Sequence, residues 1–484
     1  MNPLWTPDAA AAATGGRLEG HWPEAGITGV SIDTREMAPG DLFVALQDRR
    51  DGHDFVADAL VMGAAGALVT RRPAMLSDEA PLLVVDDTLA GLRGLAAAAR
   101  ARSGARVIAI TGSVGKTSTK EMVAAMAATQ ARTHAALRSF NNHWGVPLTL
   151  ARMPAETEVA VVEIGMNHAG EITPLTKLAR PHLAMVTAVR AVHLENFESI
   201  EGIADAKAEI FAGLEPGGTA LVPADCPYRA RLERAAAAVG AEIRSFGSTG
   251  AVVPEHIALH AETTVVRARV EDRQILFRIG AAGRHFAQNA CAGLAAIAAI
   301  GLDPARAALA LPGFRAPEGR GAREVVRLGP AGLDGEITLI DESFNANPAS
   351  MRAAFEVLAA AEVDDDVGRI ARGRRIAFLG DMLELGGEEL ALHAALAEMP
   401  EIAGIDLVHC CGPRMKALHA ALPKAQRGIW AADSVALAER ARRLVDAGDV
   451  CMVKGSKGAR MGPVLAAIRG LGVPGAGESG GGEG

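Results

Sequence analysis

The run RVIAI-TGSVGKT-STKEMVAAMAA, residues 106–128 of this 484-residue chain, carries the clearest chemistry in the sequence. A β-branched apolar run, a glycine-rich stretch and a helix-forming run in that order read as strand, loop and helix. Gly112 and Gly115 let the backbone turn tightly and aim its amides inward. Those amides and the positive helix end can cradle phosphate oxygens. Lys116 would neutralise the outer phosphates and the Thr117 hydroxyl would bind Mg²⁺. Ser113 and Ser118, next to them, are further candidates for nucleotide contact. The strict pattern of this loop asks for a glycine at position 110, which here is Ile110. The strand–loop–helix context still favours nucleotide binding over a chance Gly-Lys-Thr. It leaves kinase, motor, GTPase and ligase open.

Further candidates sit just past apolar runs, at strand ends, where open α/β sheets bind ligands. Glu163 closes VAVVE, and a carboxylate there, after a phosphate-loop strand, suits Mg²⁺. His193 follows LAMVTAV; a lone histidine by itself carries little. Lys207 lies on GIADAKAEIFAGL, and spacing alone makes it a surface lysine paired with a neighbouring glutamate.

The elements that must position these residues follow from the pattern of apolar runs. Residues 1–86 contain GVSID, DLFVAL, GALVT and LLVVD, short strands of a small α/β unit, with a helical stretch near Phe55–Gly63. Thr88–Arg102 has helical spacing and leads into residues 87–318. There RVIAIT, VAVVEIG and LAMVTAV are continuous apolar runs, as expected for strands buried on both faces of a parallel sheet. A hairpin over roughly 263–279 would extend that sheet, and AQNACAGLAAIAAIG reads as a buried helix ending at Gly301. Residues 319–470 show a new alternation, TLIDES, IAFLGD, LVHCCG and VCMVKG, with Asp364–Asp366 on a surface loop. The fold class is therefore α/β in three domains. A central phosphate-loop domain with a mostly parallel sheet lies between a small N-terminal α/β domain and a Rossmann-like C-terminal one.

Composition narrows the function classes. Apolar residues make up 49% and charged residues 22%, an ordinary globular balance. A net charge of −8 argues against a sequence-independent nucleic-acid binder. No apolar run is long enough to span a membrane, and the N-terminus lacks the basic start of a signal peptide. The five cysteines form no C-x-x-C pair and read as buried residues in a reducing compartment. A cytoplasmic monomer is expected. Residues 471–484, glycine-rich and without apolar anchors, read as a disordered tail.

Eight segments then occur in order: TGSVGKTSTKEM, FNNHWGVPLTL, VVEIGMNHAGEI, AVHLENFESIEGIADAKAEIF, GRHFAQNA, DESFNANPASM, GDMLELG and VKGSK. Together, from about Ser31 to Met461, they resemble the Mur ligases, which build the peptide stem of peptidoglycan. The resemblance implies ATP-dependent joining of D-alanyl-D-alanine to UDP-N-acetylmuramoyl-tripeptide through an acyl phosphate. It implies that Lys116 binds ATP phosphates, that Thr117 and Glu163 hold one Mg²⁺, and that His193 helps hold a second. The lysine matching Lys207 would be carbamylated, which turns a cation into a carboxylate-like group (an ammonium has no lone pair to donate). Asn289 would lie near the adenine, with Arg320, Asp341 and Asn345 on the nucleotide side of the closed site.

On the substrate side, the resemblance makes Ser31, Thr34 and Arg35 candidates for the uridine diphosphate, and Asn141 and Asn142 candidates for the muramoyl peptide. Lys454 and Ser456 are substrate-side candidates near the C-terminus. There the family often has Lys-Gly-Ser-Arg, and this chain has Lys457 in the last place, which keeps charge but loses the bidentate fork. Two other readings stay open: another amide ligase of the superfamily, such as a folylpolyglutamate synthase, and a phosphate-loop ATPase acting as a switch.

Overall fold

The computed structural model describes residues 3–74, 76–191, 194–329, 332 and 334–472. His193 and residues 473–484 of the expected tail lie outside the described residues. The α/β class is as expected, with three sheets built from successive stretches of chain.

The first sheet has five strands in the spatial order Arg17–Glu19, Leu82–Val84, Gly66–Val69, Asp41–Val44 and Gly29–Ser31. The last four are the apolar runs of the N-terminal unit, paired in parallel. Arg17–Glu19, too short to show alternation, adds an antiparallel edge. Helix Thr88–Arg102 starts where the Asp87 side chain accepts from the Ala90 N–H, an N-cap. Its Leu92, Leu95 and Ala99 join the core of the first sheet, and its Ala96 joins that of the second. One helix therefore anchors both units.

The second sheet has nine strands. Arg106–Thr111 lies between Val159–Glu163 and Leu183–Val186, all parallel. Ile108 and Ile110 face helices Lys116–Ala128 and Arg284–Ala299, whereas Val107 and Ala109 face helices Gly145–Ala151, Ile172–Ala179 and Ile200–Ala208. Two buried faces explain why these strands read as continuous apolar runs rather than alternating ones. The expected hairpin is Thr264–Val270 with Arg273–Ile279.

The third sheet runs Ala322–Arg327, Glu336–Glu342, Val450–Lys454, Arg375–Gly380, Leu407–Cys411 and Arg427–Ala431, parallel except for its first strand. Helix Pro348–Ala359 covers one face, and helices Ser434–Leu444 and Gly462–Arg469 cover the other. Asp364–Asp366 is exposed, as expected, and all five cysteines are buried and free. No helix among the described residues is long and apolar enough to cross a membrane. Thr111–Lys116, Glu163, Glu342 and Lys454 all follow or close parallel strands at their carboxyl ends.

Candidate functional site

The phosphate loop is shaped by close approach. Gly112 and Gly115 have φ of +151° and +82°, a region that side chains rarely adopt. A Cβ on Gly112 would sit 2.0 Å from Thr187 Oγ1, and one on Gly115 would sit 2.7 Å from Asn289 Oδ1. Thr187 secures the loop by donating to Val114 O at 2.6 Å. The Ser113 hydroxyl donates to Arg190 O and accepts from Arg190 N–H. Ser113 therefore holds the loop to the end of strand Leu183–Val186. Thr187 and Arg190 were not singled out from sequence; their only signal is their place just past an apolar strand.

Lys116 lies at the start of the next helix and donates to Gly112 O at 2.5 Å. Burial lowers its ammonium to about 8; nearby Arg320 pushes the same way, and Glu163 opposes both. Thr117 Oγ1 and Glu163 Oε2 are buried oxygens without a hydrogen-bond partner. The other Glu163 oxygen, Oε1, accepts from Asn141 Nδ2 at 2.6 Å. Leaving two buried oxygens unsatisfied is costly, and a hydroxyl and a carboxylate are the hard donors that Mg²⁺ prefers. The residues present thus fit the ion. Asn141, a candidate for the muramoyl peptide, holds the carboxylate of this site.

Lys207 corrects the reading from spacing. It is 2% exposed, not on the surface. Burial lowers its ammonium well below the usual lysine range, and Lys116 adds to the effect. The nearby Glu209 carboxylate is spent on the Gly170 and Thr173 N–H groups and the Thr173 hydroxyl.

A cavity of about 590 Å³ opens from the loop toward the third sheet. Ser113, Gly115, Ser118 and Asn289 line it from the second sheet, and Arg320, Glu342, Asn345 and Lys454 line it from the third unit. Arg320 lies over the Phe344 ring at 3.9 Å, a cation–π contact that fixes the guanidinium. Lys454, a substrate-side candidate, is buried at this cavity, donating to Glu342 Oε2 at 3.1 Å and to Asn345 O at 3.0 Å.

Asp341 does not line this cavity. Its Oδ1 accepts from Ser343 N–H and Oγ–H, and its Oδ2 faces Arg469 at 3.6 Å. Successive residues of a strand point to opposite faces, so only one of Asp341 and Glu342 can reach the cavity, and it is Glu342. Their order in DESFNANP does not reveal which. Asn142 accepts from the Trp144 and Gly145 N–H groups, opening helix Gly145–Ala151. Ser456 donates to Ala346 O and accepts from Leu383 N–H, a buried link between two loops. Ser31 is buried with its hydroxyl donating to Asp33 O, Thr34 opens a short turn, and exposed Arg35 pairs with Asp33. Ser31 closes a strand of the first sheet, Thr34 and Arg35 lie in the turn after it, and none of the three is part of the cavity.

Comparison with known proteins matches three family models along the chain: the Mur ligase family catalytic domain over residues 26–129, the Mur ligase middle domain over 110–297 and the Mur ligase glutamate ligase domain over 327–457. The UDP-N-acetylmuramoyl-tripeptide–D-alanyl-D-alanine ligase of Escherichia coli is 38% identical over 93% of this chain and 96% of its own. That of Bacillus subtilis is 35% identical over 80% of each. Among solved structures, MurF from Acinetobacter baumannii aligns with a TM-score of 0.78 and 30% identity, covering 96% of this chain and 99% of its own.

The buried charges give two predictions. Read as a phosphate ligand, Lys116 acts as its ammonium, so affinity for ADP should fall as pH rises through about 8, by at most about tenfold per pH unit. Calorimetric titration from pH 7 to 10 reads this, and an unchanged profile in Lys116→Met would remove Lys116 from the explanation. The second separates the adjacent carboxylates. Glu342→Gln should change ADP affinity and, by leaving the buried Lys454 ammonium without its charged partner, should also cost stability. Asp341→Ala should cost about 1–3 kcal/mol of stability in a denaturant melt and leave ADP affinity intact.

Proposed function

The chain belongs to the Mur ligase family, and we propose that it joins D-alanyl-D-alanine to UDP-N-acetylmuramoyl-tripeptide, with ATP converted to ADP and phosphate, in peptidoglycan precursor synthesis. The observation that carries this reading is the alignment of nearly the whole chain with a ligase of that activity. The phosphate-loop geometry adds a site suited to the chemistry. We assign residues 1–86 to the UDP-linked substrate, 87–318 to ATP, and 319–470 to the dipeptide and to completion of the ATP site. The buried thiols suit a reducing compartment, and we read the enzyme as a cytoplasmic monomer.

Mg²⁺, held by Thr117 and Glu163, with His193 and Lys207 for a second ion, would supply positive charge against the phosphates. Lys116, at the base of the loop, and Arg320, from the third unit, supply the protein's own positive charge. They favour transfer of the γ-phosphoryl group to the tripeptide carboxylate, because charge develops between anionic partners. The carboxylate oxygen bonds to γ-phosphorus as the bond to the departing ADP oxygen breaks. The dipeptide amine, rather than water, then attacks the acyl carbon of the resulting acyl phosphate, a preference that shielding of the site from solvent would favour. The new C–N bond forms, the C–O bond to phosphate breaks, and the amine releases its proton.

Lys207 is assigned as carbamylated. Burial beside Lys116 favours the neutral amine, which can add CO₂ through a new N–C bond with release of one proton. The product has oxygen donors where lysine has none.

Phosphate release should require both UDP-N-acetylmuramoyl-tripeptide and D-alanyl-D-alanine, with a UDP-linked pentapeptide formed in equal amount. Turnover that ignores the peptides would instead mean a switch-like ATPase. Lys207→Ala should abolish ligation, and added short-chain carboxylic acids should partly restore it; absence of any rescue would argue against the carbamate.

A further inference from the structure

Lys120 has no part in the chemistry above, yet it is among the largest fully buried side chains of the described residues. It lies one helical turn beyond Lys116, on helix Lys116–Ala128. Burying an ammonium is costly unless each of its three donors is satisfied. Here all three are: Nζ donates to Ala136 O at 2.7 Å, to Arg138 O at 2.8 Å and to Glu121 Oε1 at 2.5 Å. A methionine would fill the same space, so packing alone does not call for a charge.

The two carbonyls belong to a turn that needs holding. Arg138 has φ of +54°, a region disfavoured for a residue with a side chain. Its guanidinium reaches Glu36 of the first unit. Three residues later, Asn141 donates to Glu163 Oε1, and its carbonyl accepts from Gly165 N–H at 2.8 Å. The turn thus lies between the phosphate-loop helix and the carboxylate whose second oxygen has no partner.

We propose that Lys120 is a positioning residue: by clamping the turn at Ala136 and Arg138, it sets the register of Asn141 and so aims Glu163 at the divalent cation beside the nucleotide. The inference rests on the reading of Glu163 as a cation ligand. It makes the helix that starts at the phosphate-binding lysine also the support of the cation site, so that one element sets both.

The test uses the full-length protein with ADP bound and Mn²⁺ as the probe, its affinity read by electron paramagnetic resonance. Hydrogen exchange over residues 134–142 is read alongside. Lys120→Met should weaken Mn²⁺ binding about tenfold, the loss expected for a buried charged hydrogen bond. It should speed exchange across the turn and leave metal-free ADP affinity unchanged. Adding Asn141→Ala to Lys120→Met should weaken Mn²⁺ little further, since both act through one path. If Lys120→Met does not fold, the variant Leu137→Gly, at an exposed position of the turn, loosens the same segment and should weaken Mn²⁺ in the same way. Unchanged Mn²⁺ affinity in either folded variant, or additive effects with Asn141→Ala, would overturn the proposal. A wild-type ADP complex that binds no Mn²⁺ would instead overturn the reading of Glu163.

Discussion

Charge buried without its counterpart is the constraint around which the site is arranged. Lys116 is held in a desolvated position where its ammonium is lowered to about 8. Glu163 keeps one oxygen unpartnered, and Thr117 keeps its hydroxyl unpartnered. In a finished core such groups would be paired with one another. Here they are held apart by backbone: the loop at Gly112 and Gly115, closed against Thr187 and Asn289, and the strand that ends at Glu163. The result is a rigid site short of phosphate and cation, which is where binding energy for a nucleotide would come from.

That constraint explains why a second sheet alone is not enough. The loop presents amides and one lysine, but the opposite wall of the cavity comes from residues beyond 318. Arg320, seated on Phe344, is near enough to lower Lys116 and to be influenced by Glu163. Glu342 and Lys454 close the same wall from paired positions on adjacent strands. Arg320 and Lys116 are like charges near enough to repel, a repulsion that a bound anion would offset.

The first unit is tied to the second by specific contacts rather than by a shared sheet. Trp5 Nε1 donates to Ala151 O, Arg152 Nε to Val30 O, and Arg138 pairs with Glu36. Leu148 and Ala151 of the second unit complete the core of the first sheet. The segments that make these contacts flank Asn141 and Asn142, so the path between the first unit and the cation site is short in sequence as well as in space.

Much of this was legible in the amino-acid order, because local physics settles it. Glycines followed by lysine and threonine between a β-branched run and a helix-forming run fix the phosphate loop. Two-faced burial writes the parallel strands as continuous apolar runs, and eight ordered segments fix the family. What order alone could not decide was direction and partnership. Spacing put Lys207 on the surface, but the packing of its helix against the second sheet buries it. Asp341 and Glu342 are neighbours in sequence, and only strand pairing decides which carboxylate meets the cavity. Asn141 and Asn142 are equally adjacent, yet one holds Glu163 and the other opens a helix. A residue's type and spacing state what chemistry it can do; what it faces depends on contacts with residues far away in the chain, and those exist only once the sheets have formed and packed.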